Sequence, residues 1–357
     1  EQLVDRKVIR VGKDLSTAGA SASDIMNNIP SVNVDQDGNI SMRGNQNVRI
    51  LIDGKPTQLD PKTLLKQIPS NAIDKIELIT NPSAKYNPEG MSGMINFVLK
   101  KNMQDGFNGS YNGNITFAKV PKFNQGIDLN YRKGKVNFFG NYNYSDQKTF
   151  NGGVMTQLDD MSEQRFDIVN DNKTHTFKVG FDVYANDKNT FSFYTNQTYA
   201  DGIGTVGNTI FYPNNPLFLQ TDRYEGSNQS QIYNAAYKKL FATAGQTLDF
   251  EVNYSKTNND QGGNFDILNQ GTNPYTDYSD NTVNAVQANL DYVHPFNEKT
   301  KLEVGAEYRN TGIDNTYTTT NTLGNPASFE YNVDIASAYA TFGSKYDKWG
   351  YQIGARL

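Results

Sequence analysis

Side chains able to do chemistry are few in this chain and lie far apart. It holds 2 histidines and no cysteine in 357 residues. Without thiols there can be no disulfide, Fe–S cluster or cysteine-ligated zinc. His175 and His294 are expected at strand ends on opposite sides of the molecule, which excludes a shared metal site. Asp159 and Asp160 with Glu163, and Asp167 with Asp171, carry the hard-oxygen chemistry of a calcium site, although such runs more often form a solvated loop face. The DQDGN string at 35–39 has the acidic alternation of a calcium loop, but its glycine comes too early for an EF-hand, so it reads as a turn. No nucleophile with a base and no acid/base pair emerges. No catalytic residue, metal or cofactor is assigned, and an enzyme is not expected.

What remains is binding chemistry. Phe211, Tyr212, Tyr275, Tyr278 and Tyr317 offer rings that stack on sugars or catechols, or that line a lipid–water boundary; those nearest strands are read as boundary residues. Arg43 and Arg49 beside Asp53 suit ion pairs, either a latch that yields under force or plain adhesion. Gly44, Gly54, Gly90 and Gly93 are read as backbone turns.

The elements that position these residues fall into two regions, 1–104 and 105–357. The first has only Tyr86 and Phe97 as aromatics and is slightly basic; the second holds every other ring and is acidic. The formal charge of the whole is −5, no footprint for nucleic acid. No run approaches the roughly 18 apolar residues of a membrane-spanning helix. No signal peptide begins at Glu1, as expected of a trimmed chain or of one never exported.

Residues 1–104 read as a small α/β unit. Strands are expected at 48–52, ending on the turn dipeptide Asp53 and Gly54, at 74–80, and in the apolar stretch after Gly93. Asp60 and Pro61 open a helix with Leu64, Leu65 and Ile68 on one face. SASDIMNNIP forms a turn or two of helix with Ser23 as cap, and SVNVDQDGNISMRG a hairpin around Asp37 and Gly38.

Beyond Asp105 the period is two. Phe177, Val179, Phe181 and Val183 alternate with polar neighbours, as do Leu248, Phe250, Val252 and Tyr254. About eleven such strands follow one another. Short turns (RKGK, ANDKN, TAGQ, HPFNEKT, SKYDKWG) alternate with long polar loops at 145–174, 200–230, 256–282 and 310–330. That asymmetry is expected of an antiparallel transmembrane barrel with short periplasmic turns; a soluble sandwich is the alternative. An odd number of strands cannot close antiparallel, which is expected of a piece of a larger barrel; with one strand more or fewer, a smaller barrel closes instead.

Residues 20–101 carry a resemblance. SMRGNQNVRILIDGKP, with SASDIMNNIPSVNV before it and IPSNAIDKIELITNPSAKYNPEGMSGMINFVLKK after it, resembles the plug domain of TonB-dependent outer-membrane receptors, most closely the outer-membrane β-barrel branch common in Bacteroidetes. The resemblance implies a plug (1–104) inside a roughly 22-stranded barrel, of which 105–357 is the N-terminal portion. It further implies an outer-membrane location, contact with lipid, and a TonB-type energy-coupling partner acting on a segment upstream of Glu1. A small-molecule or oligomeric ligand is implied as well, with a surface lipoprotein as a further partner. Ferric siderophore is the cargo it favours, with oligosaccharide or peptide next; a non-transporting adhesin, secretion accessory or scaffold is the alternative function.

Overall fold

A computed structural model describes residues 6–11, 22–27, 29, 32–35, 40–42, 48–52, 55–56, 73–79, 93–99, 105–117, 119–159, 161–211, 218–267, 273–346 and 349–357. In the first region these form β1 (Arg6–Arg10), α1 (Ala22–Asn27), β2 (Val32–Val34), β3 (Ile40–Met42), β4 (Val48–Ile52), β5 (Lys55–Pro56), β6 (Ile73–Ile79) and β7 (Gly93–Leu99). One sheet has the order β1-β6-β7-β4-β5, and β2 pairs with β3 as the expected hairpin. Helix α1 begins at Ala22, so Ser23 lies within its first turn instead of ahead of it. The expected helix after Pro61 and the Asp53–Gly54 turn lie outside the described residues. Strand β1, too polar to show period two, is held by its antiparallel ladder with β6.

The core of this unit is aliphatic. Ala22, Ile25, Met26 and Ile29 cluster with Ile50, Ile76, Ile95 and Phe97, and the last three are fully buried. Each such side chain stabilises the unit by about 1.5–3 kcal/mol of transfer free energy. Gly93, read as a turn, instead opens β7 with φ +146°, and a Cβ there would run into the Met42 side chain and lie 2.9 Å from the Ile79 carbonyl oxygen. Only glycine fits that close approach.

The second region is a single eleven-stranded sheet, as its pattern predicts. Its strands are β8 (Gly106–Thr116), β9 (Lys122–Lys133), β10 (Val136–Gln157), β11 (Ser162–Asn186), β12 (Asn189–Phe211), β13 (Phe218–Leu240), β14 (Thr247–Ile267), β15 (Tyr275–Pro295), β16 (Thr300–Thr319), β17 (Ala327–Lys345) and β18 (Gly350–Arg356). Every strand pairs antiparallel with its neighbours in sequence. The short turns fall where expected. The long polar loops do not exist as loops: 145–157 and 162–174 ladder with each other as the outer parts of β10 and β11, and 200–211 ladders with 218–230. The same holds for 256–265 against 275–282 and 310–317 against 327–330. Polar residues are interspersed on both faces of these stretches, so alternation vanishes while backbone pairing continues.

The sheet is inside out for a water-soluble protein. On one face the rung Phe138–Phe181–Phe193–Ala235–Val252–Ala288–Tyr308 crosses seven strands, and its rings are exposed. The opposite face buries Asn137, Thr176, Asn196, Asn234, Glu251 and Gln287. The apolar face from His175 to Val183 spans roughly 26 Å along β11, at about 3.3 Å per residue, which matches a hydrocarbon layer. Tyr346, Trp349, Tyr351, Phe342 and Phe296 form a chain of ring contacts 4.4–6.2 Å apart at the short-turn end. Phe177 with Tyr199 and Tyr233 with Tyr254, each pair 6.2 Å apart, mark the other margin. Two aromatic girdles around an apolar band place this sheet in the outer membrane.

Candidate ligand-binding site

Because a strand alternates strictly, each position beyond the band belongs either to the lipid-side face or to the inner face. Tyr275 lies on the inner face in a rung that runs Val206–Asp222–Phe265–Tyr275 across β12 to β15. Phe265 and Tyr275 stack at 4.6 Å and 10° between planes, and Tyr224 meets Phe265 edge-on at 5.6 Å and 87°. Tyr317, opposite Ser279, shares this face. Asp277 accepts a hydrogen bond from the Thr319 hydroxyl (2.5 Å), and Asp222 accepts one from the Gln220 amide (2.8 Å).

Electrostatics follow from that packing. Burial raises the Tyr275 phenol above its ordinary pKa, reinforced by the carboxylates of Asp277 and Asp222. Tyr224 is raised in the same way, by burial first and then by Asp222. Both phenols therefore stay neutral donors over the physiological range. The result is a wall of rings edged by two carboxylates, able to stack on a flat or sugar-like face and to exchange hydrogen bonds with hydroxyls.

Of the residues singled out in the sequence, Tyr275 and Tyr317 belong to this wall. Tyr278, three positions from Tyr275, necessarily points the other way: it lines a hollow of about 430 Å³ on the lipid-side face with Asp201, Glu225 and Asp260, and Asp260 is the main cause of its raised phenol pKa. Phe211 is also on that face, at the tip of β12, under the Arg165 guanidinium at 5.4 Å. Neither lies in a girdle, since the strands carry both well beyond the band. Tyr212 lies outside the described residues. Tyr224, Phe265, Asp222 and Asp277 went unrecognised; the available signal was parity, since Tyr275 and Asp277 share a face.

The acidic stretch is dispersed by the strand. Glu163, Asp167 and Asp171 stand on one face of β11, four residues or about 13 Å apart, too far to ligate one ion. Glu163 pairs with Arg165 (2.6 Å) and Asp171 with Lys148 (3.6 Å); Asp160 lies outside the described residues. His175 sits within β11, not at its end, hydrogen-bonded through Nδ1 to the Tyr142 hydroxyl (2.8 Å). His294, near the short-turn end of β15, contacts Tyr292 and Phe296. In the N-terminal unit Arg49 is half-buried on β4, opposite Met94. Its suggested companions Arg43 and Asp53, and Gly44, Gly54 and Gly90, lie outside the described residues.

Comparison with known proteins agrees with this architecture. Residues 5–94 match the TonB-dependent receptor plug domain, and residues 239–357 match the outer membrane protein beta-barrel family. No protein of curated function matches the sequence. Among solved structures, the ferric yersiniabactin uptake receptor FyuA from Yersinia pestis aligns over 99% of this chain and 64% of its own, with TM-score 0.52 and 14% identity. The copper transporter OprC aligns over 100% and 63%, with TM-score 0.57 and 13% identity. This chain thus spans a little under two-thirds of their lengths, and at such identities the likeness is one of fold. With a receptor plug unit followed by a lipid-faced antiparallel sheet, the chain belongs to the TonB-dependent outer-membrane receptors.

Proposed function

We propose that this chain supplies the plug and part of the barrel of a receptor that imports a small nutrient across the outer membrane. The observation that carries the reading is the combination of an inside-out sheet, polar inward and apolar outward, with a separately cored plug unit. A polar lumen through lipid is a path, and a plug makes that path conditional. The work comes through a TonB-type partner, and no nucleotide site is needed. Ligand promotes the signalling-competent plug state only in so far as it binds that state more tightly than the resting one. Barrel closure with roughly 22 strands, the domain division at 104/105, and a surface lipoprotein partner belong to the same reading. Of the solved structures it resembles, one is by name a ferric yersiniabactin uptake receptor and one a copper transporter, so transport rather than catalysis is the activity proposed.

The test is uptake of labelled substrates by cells carrying the complete gene, compared with its deletion, with and without a protonophore. Uptake that needs both the gene and the gradient supports energised import. A surface phenotype indifferent to the gradient and to Arg43→Ala would instead favour a non-transporting adhesin, secretion accessory or scaffold.

A further inference from the structure

Among the described residues, the inner face of the outer hairpins from β10 to β17 carries no cation, and the nearest inward one is Lys122 on β9. The inner positions of β11 to β17 in question lie beyond the rung that runs from Lys178 through Asn196, Ile232, Ser255, Ala285 and Thr311 to Val333. Among the described residues they carry Asp222 and Asp277 as their only charges. The basic residues of the same stretches, Arg165, Lys173, Arg223 and Lys256, all fall on the lipid-side face. Arg165 and Arg223 there are tied to Glu163 and Glu225, each at 2.6 Å. What remains inward is asparagine, glutamine, serine, threonine and glycine, a few aliphatics, and the rings of Phe166, Tyr224, Phe265, Tyr275, Tyr317, Phe329 and Tyr331.

From this wall we infer that the ligand is an uncharged polyhydroxylated molecule, an oligosaccharide, that stacks on Phe265 and Tyr275 and hydrogen-bonds to Asp277 and the surrounding amides and hydroxyls, with Asp222 buried behind them. The inference rests on the import reading and names its substrate class. An anionic ferric chelate needs guanidinium or ammonium partners, which are strongest as charge-assisted hydrogen bonds; this wall offers none and adds two repelling carboxylates. A peptide brings a terminal carboxylate with the same unmet need. A sugar asks for flat rings for its C–H face and for neutral donors and acceptors around its rim. Carboxylates suit it too, because they accept from hydroxyls without needing a counter-charge. Two carboxylates already engaged with Gln220 and Thr319 make a thin cradle for a cation.

The experiment uses the receptor from the complete gene, purified in detergent, with folding checked by heat-modifiable migration. Probes are an array of neutral α-glucans, β-glucans, mannans, xylans and fructans, together with ferric citrate, a ferric catecholate, spermidine and a tetrapeptide mixture. The expected result is binding of at least one neutral glycan, with affinity unchanged from about 0.05 to about 0.5 M salt, since no ion pair is screened. Tyr275→Ala and Phe265→Ala each weaken it about tenfold or more, as loss of a stacking platform does, whereas Tyr275→Phe retains most of the stacking and Arg165→Ala binds as wild type. Binding of a ferric chelate, spermidine or peptides in place of glycans overturns the inference, as does failure of every glycan to bind folded receptor. A glycan bound but never taken up in cells would sink the import reading alone. Gradient-driven uptake of a ferric chelate would sustain import and sink the glycan.

Discussion

Tyr339 on β17 reaches over Gly305 on β16 and donates its hydroxyl proton to Asp291 on β15. Three strands are clamped across the inner face by one side chain, and the strand between them must be bare. A Cβ at Gly305 would lie 2.5 Å from the Tyr339 ring and 2.6 Å from the Leu290 carbonyl oxygen. Gly305→Ala is therefore expected to destabilise the barrel by about 1–3 kcal/mol through overpacking, and Tyr339→Phe by about 1 kcal/mol through the lost hydrogen bond. Denaturant unfolding of the detergent-solubilised receptor, followed by heat-modifiable migration, checks both.

Gly93 makes a parallel demand on the plug. Its φ of +146° is strained for any L side chain, and Met42 occupies the space that a Cβ would enter. Gly93→Ala is expected to cost more than about 1 kcal/mol and to loosen the plug while leaving the barrel sheet intact. Limited proteolysis would show this as faster cleavage in the N-terminal hundred or so residues, with the barrel fragment unchanged.

The two faces of β10 and β11 tolerate charge differently. Phe181→Lys places an ammonium in the middle of the apolar band, at a cost of about 2–4 kcal/mol. Asn143→Lys, opposite Thr176 on the inner face, meets a polar lumen and is expected to cost no more than about 1 kcal/mol. Equal penalties in a folding titration into lipid would overturn the assignment of one face to lipid, and a larger penalty for Asn143→Lys would reverse it.

Tyr275 reports on its carboxylate neighbours. The native phenol holds its proton to higher pH than the ordinary tyrosine value of about 10, because burial and the charges of Asp277 and Asp222 disfavour the phenolate. The native state then binds more protons than the unfolded one once pH passes about 10, so stability is level below that point and falls above it. Phenolate absorbance, wild type minus Tyr275→Phe, should show a late-titrating tyrosine. Asp277→Asn should bring its midpoint down toward the ordinary value.

The local residue pattern was enough to establish a two-part chain, eleven strands in the second part, the positions of the short turns and a face for lipid. Each of these is written in a single strand or turn: Phe177 to Val183 alternate whatever their neighbours do, and Gly134, at the β9–β10 turn, adopts φ +56° as a tight turn requires. The plug was legible because its motifs are contiguous. The strand reading failed where alternation stops. Residues 145–174 look like a loop because both faces meet water, yet their ladder is continuous from Ser145–Thr174 to Gln157–Ser162.

Pairing across strands decided the rest. Phe265 and Tyr275 become one platform only through the register of β14 against β15, and Asp222 joins them only through β13. The lack of cations on this inner wall, among the described residues, is likewise invisible along the chain, where Arg223 stands directly between Asp222 and Tyr224. Alternation within a strand sorts neighbours onto opposite faces, but which face lines the lumen, and which residues meet there, is fixed by backbone hydrogen bonds between segments distant in sequence.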